Sequence, residues 1–242
     1  MSEFDAFAGN YQDLVSDSVR ITGDSSEYFA RYKAAYIARE LESVEKLLDY
    51  GCGVGLLSLH LKSQLPETQI DGFDLSKDSL QRVDHSLRLQ GVFTADPKEL
   101  AKDYGIIVIA NVLHHVRPEG RQKLIRQITT RLAPKGRLVI FEHNPINPLT
   151  QWAVSQCPFD DDAVLLPVRE MEAYLRGSEL QVLRRDYVVF FPRWLRWFRS
   201  LENRLRWLPL GAQYVVVAGH RMNHVRNRRH LKGSGNPSVV KV

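Results

Sequence analysis

The chain has 242 residues, and its 44% hydrophobic content can bury one full core, which suggests one domain with room for a cap. No apolar run approaches the length of a membrane span, and two cysteines, Cys52 and Cys157, are too few for a disulfide scaffold, so a reducing, cytoplasmic setting is expected. The net charge of +5 is uneven: six basic residues and no acids lie from His220 onward, and without those six the rest balances to within one charge. The basic character therefore belongs to the segment 220–242, read as a solvated, disordered tail with phosphate binding as the alternative.

The opening MSEFDAFAGN has neither a basic start nor an apolar segment, so no signal peptide is expected. Residues 1–44 are expected to form a helical cap. Ser25 or Ser26 can cap a helix, after which Phe29, Tyr32, Tyr36 and Ile37 recur at helical spacing. The most informative stretch is LLDYGCGVG at 47–55. An apolar run ends in Asp49, glycines follow at 51, 53 and 55, and a helical pattern begins at once with Leu56, Leu57, Leu59 and Leu61. This reads as strand, tight turn, helix. Glycine accepts positive φ and lets a ligand lie against the main chain, and the amides opening the next helix face that ligand. A nucleotide-like cofactor is expected on this turn. The dinucleotide fingerprint G-x-G-x-x-G would need a glycine where Leu56 stands.

A second strand, QIDGFDLS, ends in Asp74, 19 residues after Gly55. A carboxylate there can accept hydrogen bonds from both ribose hydroxyls of an adenosine, and it would repel a 2′-phosphate. Ser76 to Leu89 reads as a helix capped by Ser76, and GVFTAD as a short third strand. YGIIVIANV is a β-branched run expected for a central parallel strand buried on both faces. RPEGRQKLIRQITTRL is an amphipathic helix, and RLVIFEHN is the fifth strand, introduced by Pro134, Lys135 and Gly136. LQVLRRDYVVFF and AQYVVVAGH are two further strands flanking 192–210. There Trp194, Leu201, Leu205 and Leu208 share one face of an α-helix, with Arg196, Arg199, Asn203 and Arg206 largely on another. A core-packed helix is the favoured reading. The alternative is peripheral membrane contact through 193–210, with Trp194 and Trp197 at the lipid surface.

Five segments in this order, DYGCGVG, GFDLS, TAD, ANVLHHV and LAPKGRLVIFEHN, give the chain a resemblance to the class I S-adenosylmethionine-dependent methyltransferases of the type 11/12 branch. It covers about residues 25 to 145 and, more loosely, the chain to His220. It implies a Rossmann-like, doubly wound, mostly parallel seven-stranded sheet with helices on both faces, an antiparallel C-terminal edge strand and an N-terminal helical cap. The methyltransferase domain would span 45–219, with a helical insert at about 193–210. One departure stands out. The family's fourth strand begins with an aromatic residue and an aspartate, whereas here Tyr104 precedes Gly105 and Asp103 lies one place early.

By the resemblance, the cofactor is S-adenosyl-L-methionine. Asp49, Gly51, Cys52, Gly53 and Asn111 would face its methionine part, Asp74 its ribose, Leu75 and Asp96 its adenine. Leading helices in the family lie over the cofactor, so Tyr11 is read either as a substrate contact or as packing on the sheet. His114 and His115 would lie at the floor of the acceptor pocket, with Glu142, His143 and Asn144 a second cluster at the end of the fifth strand. Methyl transfer from a sulfonium is an in-line displacement that depends mainly on alignment, with a base needed for a hydroxyl or protonated amine. His115 and His143 are the candidate bases. The histidine spacings do not read as a metal site, and the acidic run Asp160–Asp162 reads as a helix-terminal charge cluster.

The expected reaction is methylation of an oxygen, nitrogen or carbon on a small, apolar or aromatic acceptor. The alternatives are a nucleic-acid or protein methyltransferase and a non-catalytic binding module on the cofactor fold. The N-P-P-[FY] type signature of base methylation is absent, since the fourth strand ends in NVLH. An intact glycine turn with both acids argues against the binding module. The sequence sets neither the acceptor nor the oligomeric state.

Overall fold

The structure is a computed structural model describing residues 24–156 and 163–221. Tyr11, Cys157, the acidic run Asp160–Asp162 and the tail from 222 onward, each given a reading above, lie outside the described residues. The elements in chain order are α1 (Ser26–Glu40), β1 (Lys46–Tyr50), α2 (Leu56–Gln64), β2 (Gln69–Phe73), α3 (Lys77–Gln81), α4 (His85–Arg88), β3 (Phe93–Thr94) and β4 (Tyr104–Ala110). A 3-10 turn, Leu113–His115, leads to α5 (Pro118–Thr129), β5 (Leu132–His143), α6 (Pro148–Ser155), α7 (Val168–Gly177) and β6 (Leu180–Val188). A 3-10 stretch, Arg193–Leu201, then joins α8 (Glu202–Leu205) and β7 (Gln213–His220).

The strands form one sheet in the order β3-β2-β1-β4-β5-β7-β6. β1 pairs in parallel with β2 and β4, and β4 with β5, while β7 is antiparallel to both β5 and β6. The strand order reverses between β1 and β4, which opens a crevice beyond their carboxyl ends where open α/β sheets bind ligands.

Strand alternation decides what each face buries. Leu47, Ile106, Val108, Val139 and Phe141 point to the side covered by α1 and α2, where Ala34, Tyr36, Ile37, Leu57 and Leu61 meet them. Leu48, Ile107, Ile109, Leu138 and Ile140 point to the other side, covered by Ile125 and Ile128 of α5 and by Met171 and Leu175 of α7. Each fully buried aliphatic side chain contributes roughly 1.5–3 kcal/mol. Helix α1 starts where the Ser25 side chain accepts from the Tyr28 amide at 3.3 Å. Tyr36 packs in the core, and its hydroxyl donates to Asp186 at 2.8 Å.

The start of β4 explains the family departure. A Cβ on Gly105 would lie 2.6 Å from Cβ of Val44, so there is no room for an aspartate side chain. The neighbouring Tyr104 is fully buried, and its hydroxyl donates to Asp71 at 2.7 Å.

Two expected helices differ. The single helix over 76–89 is broken into α3 and α4, because Asp84 leaves the helical conformation and caps a new start, accepting from the Ser86 amide at 2.8 Å. The insert at 193–210 is not one core-packed α-helix. Pro192 opens a 3-10 stretch with a kink at Leu195, no residue of Arg193–Leu201 is buried, and Trp194 faces outward. Only Glu202 is drawn inward, where its carboxylate accepts from the amides of Phe190 and Phe191 at 3.0 and 3.1 Å.

Candidate active site

The candidate residues gather along the carboxyl ends of β1, β2, β4 and β5, on both sides of the reversal. The turn after β1 is tied to β2 by the Gly51 and Cys52 amides, which donate to the Phe73 carbonyl at 2.7 and 3.0 Å. Gly51 faces the Val112 side chain, while a Cβ on Gly53 would meet nothing within 4 Å. With φ at +54°, Gly53 presents bare backbone to open space. Its amide donates to Oδ2 of Asp74 at 2.8 Å, and Oδ1 of Asp74 accepts from the Ser76 amide at 2.8 Å. The strand-end acid thus holds both loops in register. Beside it Leu75 is 69% exposed, a large apolar surface open at the crevice. Asp96 is exposed beyond β3, its carboxylate accepting from the Lys98 amide at 2.8 Å.

Asp49 is buried at the end of β1 and accepts from the Ser58 hydroxyl at 2.7 Å. Burial pushes its carboxyl up to about 6, against the Ser58 hydrogen bond and the Lys33 charge, with Asp74 adding to the rise. Burial also pushes the Cys52 thiol well up, aided by Asp49 and Asp74. Cys52 is therefore a neutral thiol in the turn wall, contributing its backbone.

Across the crevice, Asn111 ends β4 with φ at +58°, a conformation that asparagine tolerates better than most residues. Its Oδ1 accepts from the Lys33 ammonium, and its Nδ2 lies 2.8 Å from Nε2 of His143. Lysine only donates, so the amide oxygen must face Lys33 and the amide nitrogen must donate to His143. Nε2 of His143 is accordingly an acceptor in this arrangement.

The histidines form one group. The His114 ring centroid lies 4.1 Å from that of His115 and 5.0 Å from that of His143. His115 and His143 are half-buried, whereas His114 is buried with Nδ1 2.6 Å from Oε2 of Glu142. The other Glu142 oxygen accepts from the Val112 and Leu113 amides at 3.1 and 2.7 Å. Burial would raise this carboxyl, but His114 and the Leu113 amide hold it below the usual carboxylate range. Asn144 also turns inward: its Nδ2 donates to the carbonyls of Pro209 and Gly211 at 3.1 and 2.8 Å. Glu142 and Asn144, expected to meet the acceptor, are both buried and use their side chains on the protein itself.

Two residues were missed in the sequence. Lys33 of α1 is buried beneath the site, and burial lowers its ammonium to about 8, against the pull of Glu142 and Asp49. Arg121 of α5 is fully buried and donates from Nε to the Leu113 and Val116 carbonyls at 3.1 and 2.8 Å, clamping the histidine turn. Both carried a signal, a cation on an apolar helical stripe: Lys33 lies between Phe29 and Ile37, and Arg121 lies four residues before Ile125. Among the described residues, no group of three His, Cys, Asp or Glu side chains is placed to hold a metal ion.

The chain is similar to several known proteins. Carboxy-S-adenosyl-L-methionine synthase of Aeromonas salmonicida is 30% identical over 128 residues, 46% of this chain and 51% of that protein. The chain thus spans about half the length of the curated relatives it matches. Among solved structures, magnesium protoporphyrin IX methyltransferase of Synechocystis PCC 6803, with bound SAH, superposes with a TM-score of 0.63 at 14% identity, covering 90% of this chain and 96% of that one. A TehB-like SAM-dependent methyltransferase of Corynebacterium glutamicum gives 0.61 at 18% identity, covering 89% and 99%. At such identities the likeness is one of fold. The sequence itself matches the methyltransferase-domain family over residues 25–183, a span that contains the glycine turn, both strand-end acids and the histidine group, and the chain belongs to that family.

Proposed function

We propose that this protein binds S-adenosylmethionine in the crevice between β1 and β4 and transfers its methyl group to an oxygen, nitrogen or carbon of a small, apolar or aromatic acceptor. The observation that carries this reading is Gly53: an open backbone surface, locked to Asp74, at the reversal of strand order. The adenine lies against Leu75 with Asp96 beyond it. The ribose hydroxyls share the Asp74 carboxylate with the two loop amides, and the methionine part lies between Asp49, the 51–53 turn and Asn111. Lys33 is the cation best placed for the methionine carboxylate.

The acceptor enters beside the histidines. His115 is the first choice for a base by its place in the turn that follows β4, with His143 at the end of β5 second. His114, Glu142 and Asn144 act as positioning residues: they fix the turn and the loop that frame the pocket. Alignment supplies most of the rate, since the sulfonium is already an activated donor. Two cysteines in the chain, with Cys52 a free thiol in the turn, suit a reducing, cytoplasmic setting. A second reading follows from the Aeromonas relative: the buried Lys33 cation suits a carboxylated cofactor as well as a methionine carboxylate.

The pH dependence of cofactor binding tests the Asp49 role. Its carboxyl titrates at about 6 in the free protein, up from 3.8. A bound ammonium, direct or through water, favours the charged form, so S-adenosylmethionine should bind more tightly as pH rises through about 6. The limit is about tenfold per pH unit. The ligand-free fold should show the opposite sign. A raised folded-state pKa means that stability contributed by this group is present below 3.8 and lost as pH rises through about 6. Calorimetric titrations from pH 5 to 7 read the first effect, and thermal melts read the second. Flat affinity across that range would remove Asp49 from the cofactor site.

A further inference from the structure

We infer that the surface formed by 146–152 and 193–210 seats the protein on an anionic lipid surface. All four tryptophans of the protein lie there, and all are exposed: Trp152 by 44%, Trp194 by 64%, Trp197 by 69% and Trp207 by 74%. Ile146, Leu149, Phe198, Leu201 and Leu210 are exposed beside them. The two segments are physically joined, because the Asn147 side chain donates to the Leu210 carbonyl at 2.7 Å and Asn144 donates to Pro209 and Gly211. A soluble protein rarely leaves so many large apolar side chains together in water without a partner.

Charge selects the partner. Within 190–211 the exposed charged residues are Arg193, Arg196 and Arg204, while the single acid, Glu202, is buried against the Phe190 and Phe191 amides. Residues 144–156 carry no charge at all. Trp194 and Trp197 are thus exposed within three residues of each other, with the exposed Arg193 and Arg196 beside them. Indole rings favour the headgroup level of a bilayer, and guanidinium groups favour anionic headgroups. Kinked, amphipathic and too short to span, the segment fits a helix lying in the interface. Among the described residues, no helix is long and apolar enough to cross a membrane. The patch begins just beyond His143 at the end of β5. Seating it would turn the mouth of the site toward the bilayer, a consequence that rests on the proposed acceptor pocket.

Flotation of the full chain with vesicles of equal parts phosphatidylglycerol and phosphatidylcholine tests the inference. The expected result is binding to these vesicles, little binding to pure phosphatidylcholine, release by salt, and a blue shift of tryptophan emission on binding. Arg196→Gln and Arg204→Gln should each weaken binding about fivefold. Trp194→Ser with Trp197→Ser should weaken it about tenfold or more. These side chains are exposed, so the variants should melt like the parent. Absence of vesicle binding overturns the inference, and concentration-dependent self-association in its place assigns the patch to a second copy of the chain. Binding that is undiminished in both the arginine and tryptophan variants also overturns it, by placing the lipid contact elsewhere. The readout needs no methyl transfer, so its failure is separate from failure of the proposed reaction.

Discussion

Gly53→Val should abolish S-adenosylmethionine binding and leave a folded protein. Gly53 sits at φ +54°, with nothing within 4 Å of the position its Cβ would take. A Cβ there meets no protein atom beyond its chain neighbours, so the main cost to the fold is the roughly 1–2 kcal/mol of placing an L-residue in the left-handed region. The new methyl groups would instead fill the space against which the cofactor is proposed to lie. The expected loss exceeds about 3 kcal/mol, roughly a hundredfold in affinity. Gly51→Val provides the contrast, since its Cβ would fall 2.3 Å from Cγ2 of Val112 and should impair folding itself. Calorimetry and thermal melts of the two variants separate the effects. An unchanged affinity in Gly53→Val would move the cofactor off this turn.

Glu142→Ala should be strongly destabilising. The carboxylate is fully buried and serves three donors: the amides of Val112 and Leu113 and the imidazole of His114. Truncation leaves all three unpaired in a dry interior and removes a charge that attracts Lys33. Breaking such a buried pair costs about 3–5 kcal/mol, which lowers the melting temperature of a chain this size by roughly 10 °C. Glu142→Gln keeps an acceptor for the amides and should cost clearly less. A Glu142→Ala variant that melts with the parent would mean that the histidine turn is held by Arg121 alone.

The readable part of this fold is the part that local chemistry dictates. β1 and its turn follow from an apolar run ending in Asp49 and glycines that can take positive φ. β4 follows from a β-branched run that only a doubly covered strand would bury. The breaks in 76–89 and 193–210 were not read. Asp84 looks like any surface acid until it caps a helix, and nothing local says that the tryptophans of 193–210 lack a core to enter.

The site divides in the same way. The strand ends drew attention to His114, His115, Glu142, His143 and Asn144. Whether each side chain points to the pocket or back into the protein depends on partners far away in sequence. Asn144 reaches Gly211, and Glu142 reaches Leu113. Lys33 lies on α1, 13 residues before β1 begins at Lys46, and enters the site only when α1 folds across the sheet to meet Asn111.

The central claim is transfer of a methyl group to a small acceptor. It is tested most directly by incubating the full chain with methyl-labelled S-adenosylmethionine and a fractionated cell extract, then locating the label. The label should appear on a low-mass, apolar compound, with S-adenosylhomocysteine formed in equal amount. Cofactor that binds but keeps its label would contradict it, as would label found on nucleic acid or protein.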